Sequence, residues 1–177
     1  MQPVGTPISL ARHSLSCDAR PMSMESAPFV PPAFEVPTRL ADPRFVLEPL
    51  GPQHNERDYA AWTTSIDHVR STPGFPDDDW PHEMTLEANR GDLERHARDF
   101  AARQGFTYTV LDPADADVIG CVYIYPLRDG PGVQVRSWVR ADHAHLDVPL
   151  AEGVAAWLEA GWPFERIRYA GRPGLSR

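Results

Sequence analysis

Three basic side chains, Arg140, His143 and His145, fall within the stretch RADHAHLD, interleaved with Asp142 and Asp147. Such a set can contact an anion, and the HAH spacing also invites comparison with a metal site. The metal reading lacks support, because no second ligand pair accompanies the histidines and neither Cys17 nor Cys121 belongs to a CxxC pair. We expect no metal here. In VIGCVYIY, alternation places Tyr123 and Tyr125 on one strand face with Cys121. A phenol can act as a general acid. Cys121 has no histidine close in sequence and reads as a small buried strand residue. Glu48 and Glu83 are carboxylates that can take a proton from an amine, although nothing in the sequence separates them from surface acids. Asp77, Asp78 and Asp79 form a short acidic run ahead of Trp80.

These residues need elements to position them. RFVLEPL, from Arg44, reads as a first strand ended by Pro49 and the Gly51-Pro52 turn. Tyr59, Trp62, Ile66 and Val69 recur at helical spacing, so one helix is expected across HNERDYAAWTTSIDHV. After the loop STPGFPDDDWP, a second helix starts at Thr85, carries Leu86, Leu93, Ala97 and Phe100 on one stripe, and stops near Gly105. FTYTVL and VIGCVYIY form a hairpin around DPADAD. GVQVRSWVR adds a third strand, with Val133, Val135 and Val139 on a packed face and Gln134, Arg136, Trp138 and Arg140 on a usable one. Asp147 then caps a helix that holds Ala151, Val154, Ala155 and Leu158 on its buried side. RIRYAG is the last strand.

The chain has 177 residues, enough for one domain with a sizeable core. Its 17 basic side chains are all arginine and are outnumbered by 25 acidic ones, so a net charge of -8 argues against nucleic-acid binding. No apolar run approaches membrane-spanning length, and no secretory signal is read at the start, so a soluble cytoplasmic protein is expected. Residues 1–43 hold eight of the 19 prolines and show no apolar period. They are expected to be a disordered Pro-rich extension, with Met22 or Met24 as alternative starts, and residues 44–177 the folded domain.

The order strand, helix, helix, three meander strands, helix, strand resembles the GNAT superfamily of N-acetyltransferases over roughly residues 44–172. The resemblance implies an α/β (α+β) fold, a mixed and mainly antiparallel sheet flanked by helices in the order β-α-α-β-β-β-α-β. It also implies acetyl-CoA as cosubstrate, bound where one strand splays from its neighbour, with the pyrophosphate at the N-terminus of the following helix. On that pattern Trp138, Val139 and Arg140 lie on the strand that pairs with the pantetheine arm. His143 and His145 occupy the two small-residue positions of the phosphate loop, and Arg140 fits its first position. The family's glycines are therefore missing, and Asp142, Asp147 and Pro149 make the loop less welcoming to phosphate. Tyr123 or Tyr125 is a candidate acid for the departing thiolate. Asp78, Asp79 and Trp80 are candidates for receiving the amine.

Members of the family usually continue past this last strand into another helix and two strands. The resemblance thus implies a shortened domain, one completed by a partner subunit, or a divergent or truncated copy. An unpaired sheet edge would favour a homodimer. Two functions follow: an acyl-CoA-dependent N-acyltransferase, or a non-catalytic domain of the same fold acting as a small-molecule sensor or interaction module.

Overall fold

Alternating β-branched and aromatic residues build the sheet. The computed structural model describes residues 29–75 and 80–177. Strand β1 (Leu40–Asp42) turns into β2 (Phe45–Pro49), followed by β3 (Phe106–Leu111), β4 (Val118–Pro126), β5 (Val133–Val139) and β6 (Ile167–Tyr169). The six strands lie side by side in chain order. Neighbours are antiparallel up to β5, whereas β5 and β6 run parallel because helix α4 (Asp147–Gly161) carries the chain back between them.

Helices α1 (Asn55–Thr63), α2 (Ile66–Ser71) and α3 (Leu86–Ala101) precede the meander. Against one sheet face, Ala61, Trp62, Val69, Phe75 and Leu93 pack on Cys121 and Trp138. On the other, Leu150, Val154 and Leu158 of α4 pack on Phe45, Val122, Val135 and Tyr169. Trp162 and Phe164 extend this second core as a near-parallel ring stack with centroids 5.4 Å apart. No helix among the described residues is long and apolar enough to cross a membrane.

The expected order of elements is present, with four local differences. Order does not begin at Arg44: Leu40–Asp42 already pairs with β2, and Val30 is buried in the α4-side core. Arg103 holds this segment by donating to the carbonyls of Pro31 and Phe34, while the Tyr108 hydroxyl donates to that of Pro37. Residues 1–28 lie outside the described residues. The single helix expected over 54–69 is two, because Ser65 leaves helical geometry while the hydroxyls of Thr63 and Thr64 bond back to Tyr59 and Ala60 carbonyls. Leu86 is exposed, and Asn89 instead enters the buried side of α3. Finally, the outer edge of β6 is not bare: Arg177 exchanges both backbone hydrogen bonds with Ile167.

Candidate functional site

Strand β5 outruns the short β6, and the wedge left beside its unpaired end defines the candidate site. Pairing between them covers Val133 to Val135 opposite Ile167 to Tyr169, and the last rung is the Ala170 N–H to the Val135 carbonyl at 2.9 Å. Strand β5 runs on to Val139 along β4 alone. Val133 donates to Arg166 and Val135 accepts from Ala170, so the odd-numbered residues direct their backbone groups toward the β6 edge. The N–H groups of Ser137 and Val139 therefore lie on that edge beyond the last β6 rung, ahead of α4. Trp138 directs its own backbone groups toward β4.

This wedge is shut. Ser137, Trp138 and Val139 are all 0% exposed. The hydroxyls of Ser137 and Tyr169 join across it at 2.6 Å. Below, the turn Pro73-Gly74 rests on Ala170-Gly171. Gly74 and Gly171 have φ of 98° and 69°, and a Cβ on Gly171 would lie 2.7 Å from the Pro73 Cβ. Both positions require glycine for conformation and Gly171 also for space.

The loop leading into α4 is likewise satisfied from within. Its Ala141 N–H donates to Ser65 Oγ at 3.0 Å, a bond made possible by the break between α1 and α2. Arg140 forks onto Asp142 at 2.7 and 2.9 Å and reaches Asp117 at 2.7 Å. These hydrogen bonds hold the Asp142 carboxyl well below the usual range. His143 lies against Asp142, 2.7 Å from Nδ1, and stacks loosely on the exposed His145. Asp147 is not the expected cap. It sits in the first turn of α4, and its Oδ2 accepts from Arg172 Nη2 at 2.5 Å, with the two side chains 18% and 12% exposed. A cavity of about 480 Å³ lies beside Arg140, between it and Arg57 and Ala60 of α1 and Thr64 just past its end.

The usable face expected of β5 is covered. Trp138 packs against Trp80 at 5.8 Å and donates its indole N–H to Tyr123 at 3.3 Å. Trp80 also touches Trp62, Phe75 and Tyr123. The guanidinium of Arg136 lies over Phe75 and Tyr123, 5.1 and 5.8 Å from their centroids. Burial raises the Tyr123 phenol well above its ordinary pKa, and that of Tyr125 to about 12. Asp78 and Asp79 lie outside the described residues. Glu48 is engaged by His54 at 2.8 Å, Glu83 is exposed, and the Cys121 thiol donates to the Tyr108 carbonyl. Among the described residues, no group of three His, Cys, Asp or Glu is arranged to hold a metal.

Two polar groupings are not evident from sequence. The Tyr125 hydroxyl lies 2.8 Å from His96 Nδ1 and 3.0 Å from Asp99 Oδ2, with Thr107 Oγ1 3.0 Å from the same histidine nitrogen. Burial, aided by Arg95, lowers the His96 pKa to about 4 and keeps the ring neutral near pH 7. His96 could have been flagged, since it falls between Leu93 and Phe100 on the inner stripe of α3. Asp58 is the second. Buried in α1, it accepts from Asn89 Nδ2 at 3.0 Å, and desolvation raises its pKa to about 6.

No protein-family model matches the sequence, and no curated protein matches it. Solved structures do match. A ribosomal-protein-S5-alanine acetyltransferase from Vibrio fischeri superposes with a TM-score of 0.58 at 13% identity, over 75% of this chain and 72% of that one. The chain has the GNAT fold. A GnaT-family acetyltransferase from Bordetella pertussis matches over 74% of this chain and 76% of its own, at 18% identity and a TM-score of 0.51. The microcin C7 self-immunity acetyltransferase MccE, solved with acetyl-CoA and AMP, matches at 11% identity over 75% and 72%, with a TM-score of 0.55.

Proposed function

We propose that this chain is an acyl-CoA-dependent N-acyltransferase that passes an acyl group, acetyl in the simplest case, from a thioester to an amine by direct attack in a ternary complex. The observation that carries the reading is the run of β5 past its last β6 partner, with Ser137 and Val139 N–H groups on the wedge edge. N–H groups fixed in a dry site are suited to stabilising a developing oxyanion, because they need no reorganisation as charge appears. MccE, of the same fold, holds acetyl-CoA, which supports that donor class. In the closed wedge described above a pantetheine arm does not fit.

The face covered by α1–α3 is the side proposed for the acceptor, with an aromatic wall of Phe75, Trp80 and Tyr123. A neutral His96 hydrogen-bonded to Tyr125 can relay a proton there.

A second reading has its own observation. Asp142 and Asp147 put carboxylates at the entry to α4 and in its first turn, and negative charge there opposes a diphosphate, which favours a GNAT-fold sensor or interaction module without catalysis. To separate the two, the full chain is incubated with acetyl-CoA and a panel of primary amines while free thiol is followed. The acyltransferase reading expects thiol release that depends on an amine. Release no faster than without protein, from folded chain and for every amine, overturns it in favour of the module.

A further inference from the structure

We propose that the wedge is latched, and that the latch works by exchange: Arg172 leaves Asp147 for the diphosphate of an entering acyl donor as the Pro73-Gly74 turn lifts from Ala170-Gly171. The inference rests on the acyltransferase reading for the identity of the donor, but not for the existence of the latch.

Three observations converge on it. First, the wedge is closed by contacts from outside β5: the Arg172–Asp147 ion pair at the start of α4, and the seating of one glycine turn on the segment after β6. Neither is a rung of the sheet, so both can release while β1–β5 stay paired. Second, the ion pair is only half satisfied. Asp147 Oδ1 and Arg172 Nε are buried with no hydrogen-bond partner. A buried pair with unmet donors and acceptors is a costly way to hold a surface shut, and is readily exchanged for a better partner. Third, the exchange is chemically matched. A diphosphate offers the guanidinium more acceptor oxygens than the single Asp147 oxygen it now holds, and can engage Nε and Nη2 together. Arg140 is less available, since it is already forked onto Asp142 and tied to Asp117.

The test uses the full chain and three variants, Asp147→Asn, Arg172→Gln and Gly171→Ala. Hydrogen exchange is read by mass spectrometry on a peptide spanning Arg136 to Arg140, with peptides from β3 and β4 as internal references, and inorganic pyrophosphate is the probe ligand. Asp147→Asn and Gly171→Ala are expected to speed exchange over Arg136 to Arg140 by about tenfold or more while the reference peptides keep their rates. Pyrophosphate is expected to bind Asp147→Asn at least about tenfold more tightly than the unaltered chain, and to be lost in Arg172→Gln. Unchanged protection in both Asp147→Asn and Gly171→Ala overturns the latch. Faster exchange across the whole sheet also overturns it, since the contacts would then be holding the fold rather than the wedge. Pyrophosphate binding that survives Arg172→Gln overturns the exchange. Opening without any binding of acetyl-CoA leaves the latch standing and removes the acyl-CoA reading instead.

Discussion

The two faces of the sheet are built from different chemistry. On the α4 face the buried side chains are nearly all hydrocarbon or aromatic, from Phe45 and Leu47 through Leu150, Val154 and Leu158 to Trp162. On the α1–α3 face, buried Asp58, Asn55, Asn89 and Ser65 sit among the aromatics. Buried polar groups are costly, so a face that keeps several of them is more specialised than one that only packs. The α4 side is thus scaffold, and the α1–α3 side together with the wedge is the specialised part of the molecule.

Breaking the scaffold has the largest expected effect. Leu158→Ala, at a fully buried position of α4, is expected to lower unfolding stability by about 2–5 kcal/mol in chemical denaturation. A loss below that range would mean that the α4 face is looser than its packing indicates.

Asp58→Asn probes the polar face. Burial raises the Asp58 pKa from 3.8 to about 6, so its contribution to stability is fully present below 3.8 and is lost as pH rises through 6. At pH 7.5 the asparagine variant is expected to be more stable than the unaltered chain by roughly 1–3 kcal/mol, with no gain at pH 3.5. His96 runs the other way: its pKa is depressed to about 4, so the stability it contributes is present above its ordinary value of 6.5 and is lost as pH falls toward 4. With Asp58 replaced, acid destabilisation between pH 7 and 4 should stand out more clearly. A pH-independent Asp58→Asn effect would contradict the assignment.

The smallest effect is local. Thr85 caps α3 by accepting from the Ala88 N–H at 3.1 Å, and Thr85→Ala should cost about 1 kcal/mol without altering the wedge. Thermal unfolding and the wedge peptide's exchange rate check the two halves of that statement.

Much of the fold was legible because local patterns survive into the structure. Alternation in FTYTVL, VIGCVYIY and GVQVRSWVR marked three strands, and the helical spacing of Leu93, Ala97 and Phe100 marked α3. Alternation also gave the face of Trp138, but it cannot say what covers a face, and here Trp80 does. The ordered part of the Pro-rich segment was hidden for a related reason: it has no period and is fixed by distant partners, Arg103 and Tyr108. The break at Ser65 was foreshadowed by the Thr63-Thr64-Ser65 run, whose hydroxyls compete for helix carbonyls. The absent phosphate-loop glycines were legible; the Asp147–Arg172 closure was not, because it joins residues from either side of α4.

Calorimetric titration of acetyl-CoA into the full chain, Asp147→Asn and Arg172→Gln tests the latched wedge at its ligand. If the wedge is a latched donor site, acetyl-CoA binds the unaltered chain weakly, binds Asp147→Asn at least about tenfold more tightly, and fails to bind Arg172→Gln. No binding to any of the three folded proteins would contradict a latched donor site and leave a GNAT-fold module that does not use acyl-CoA.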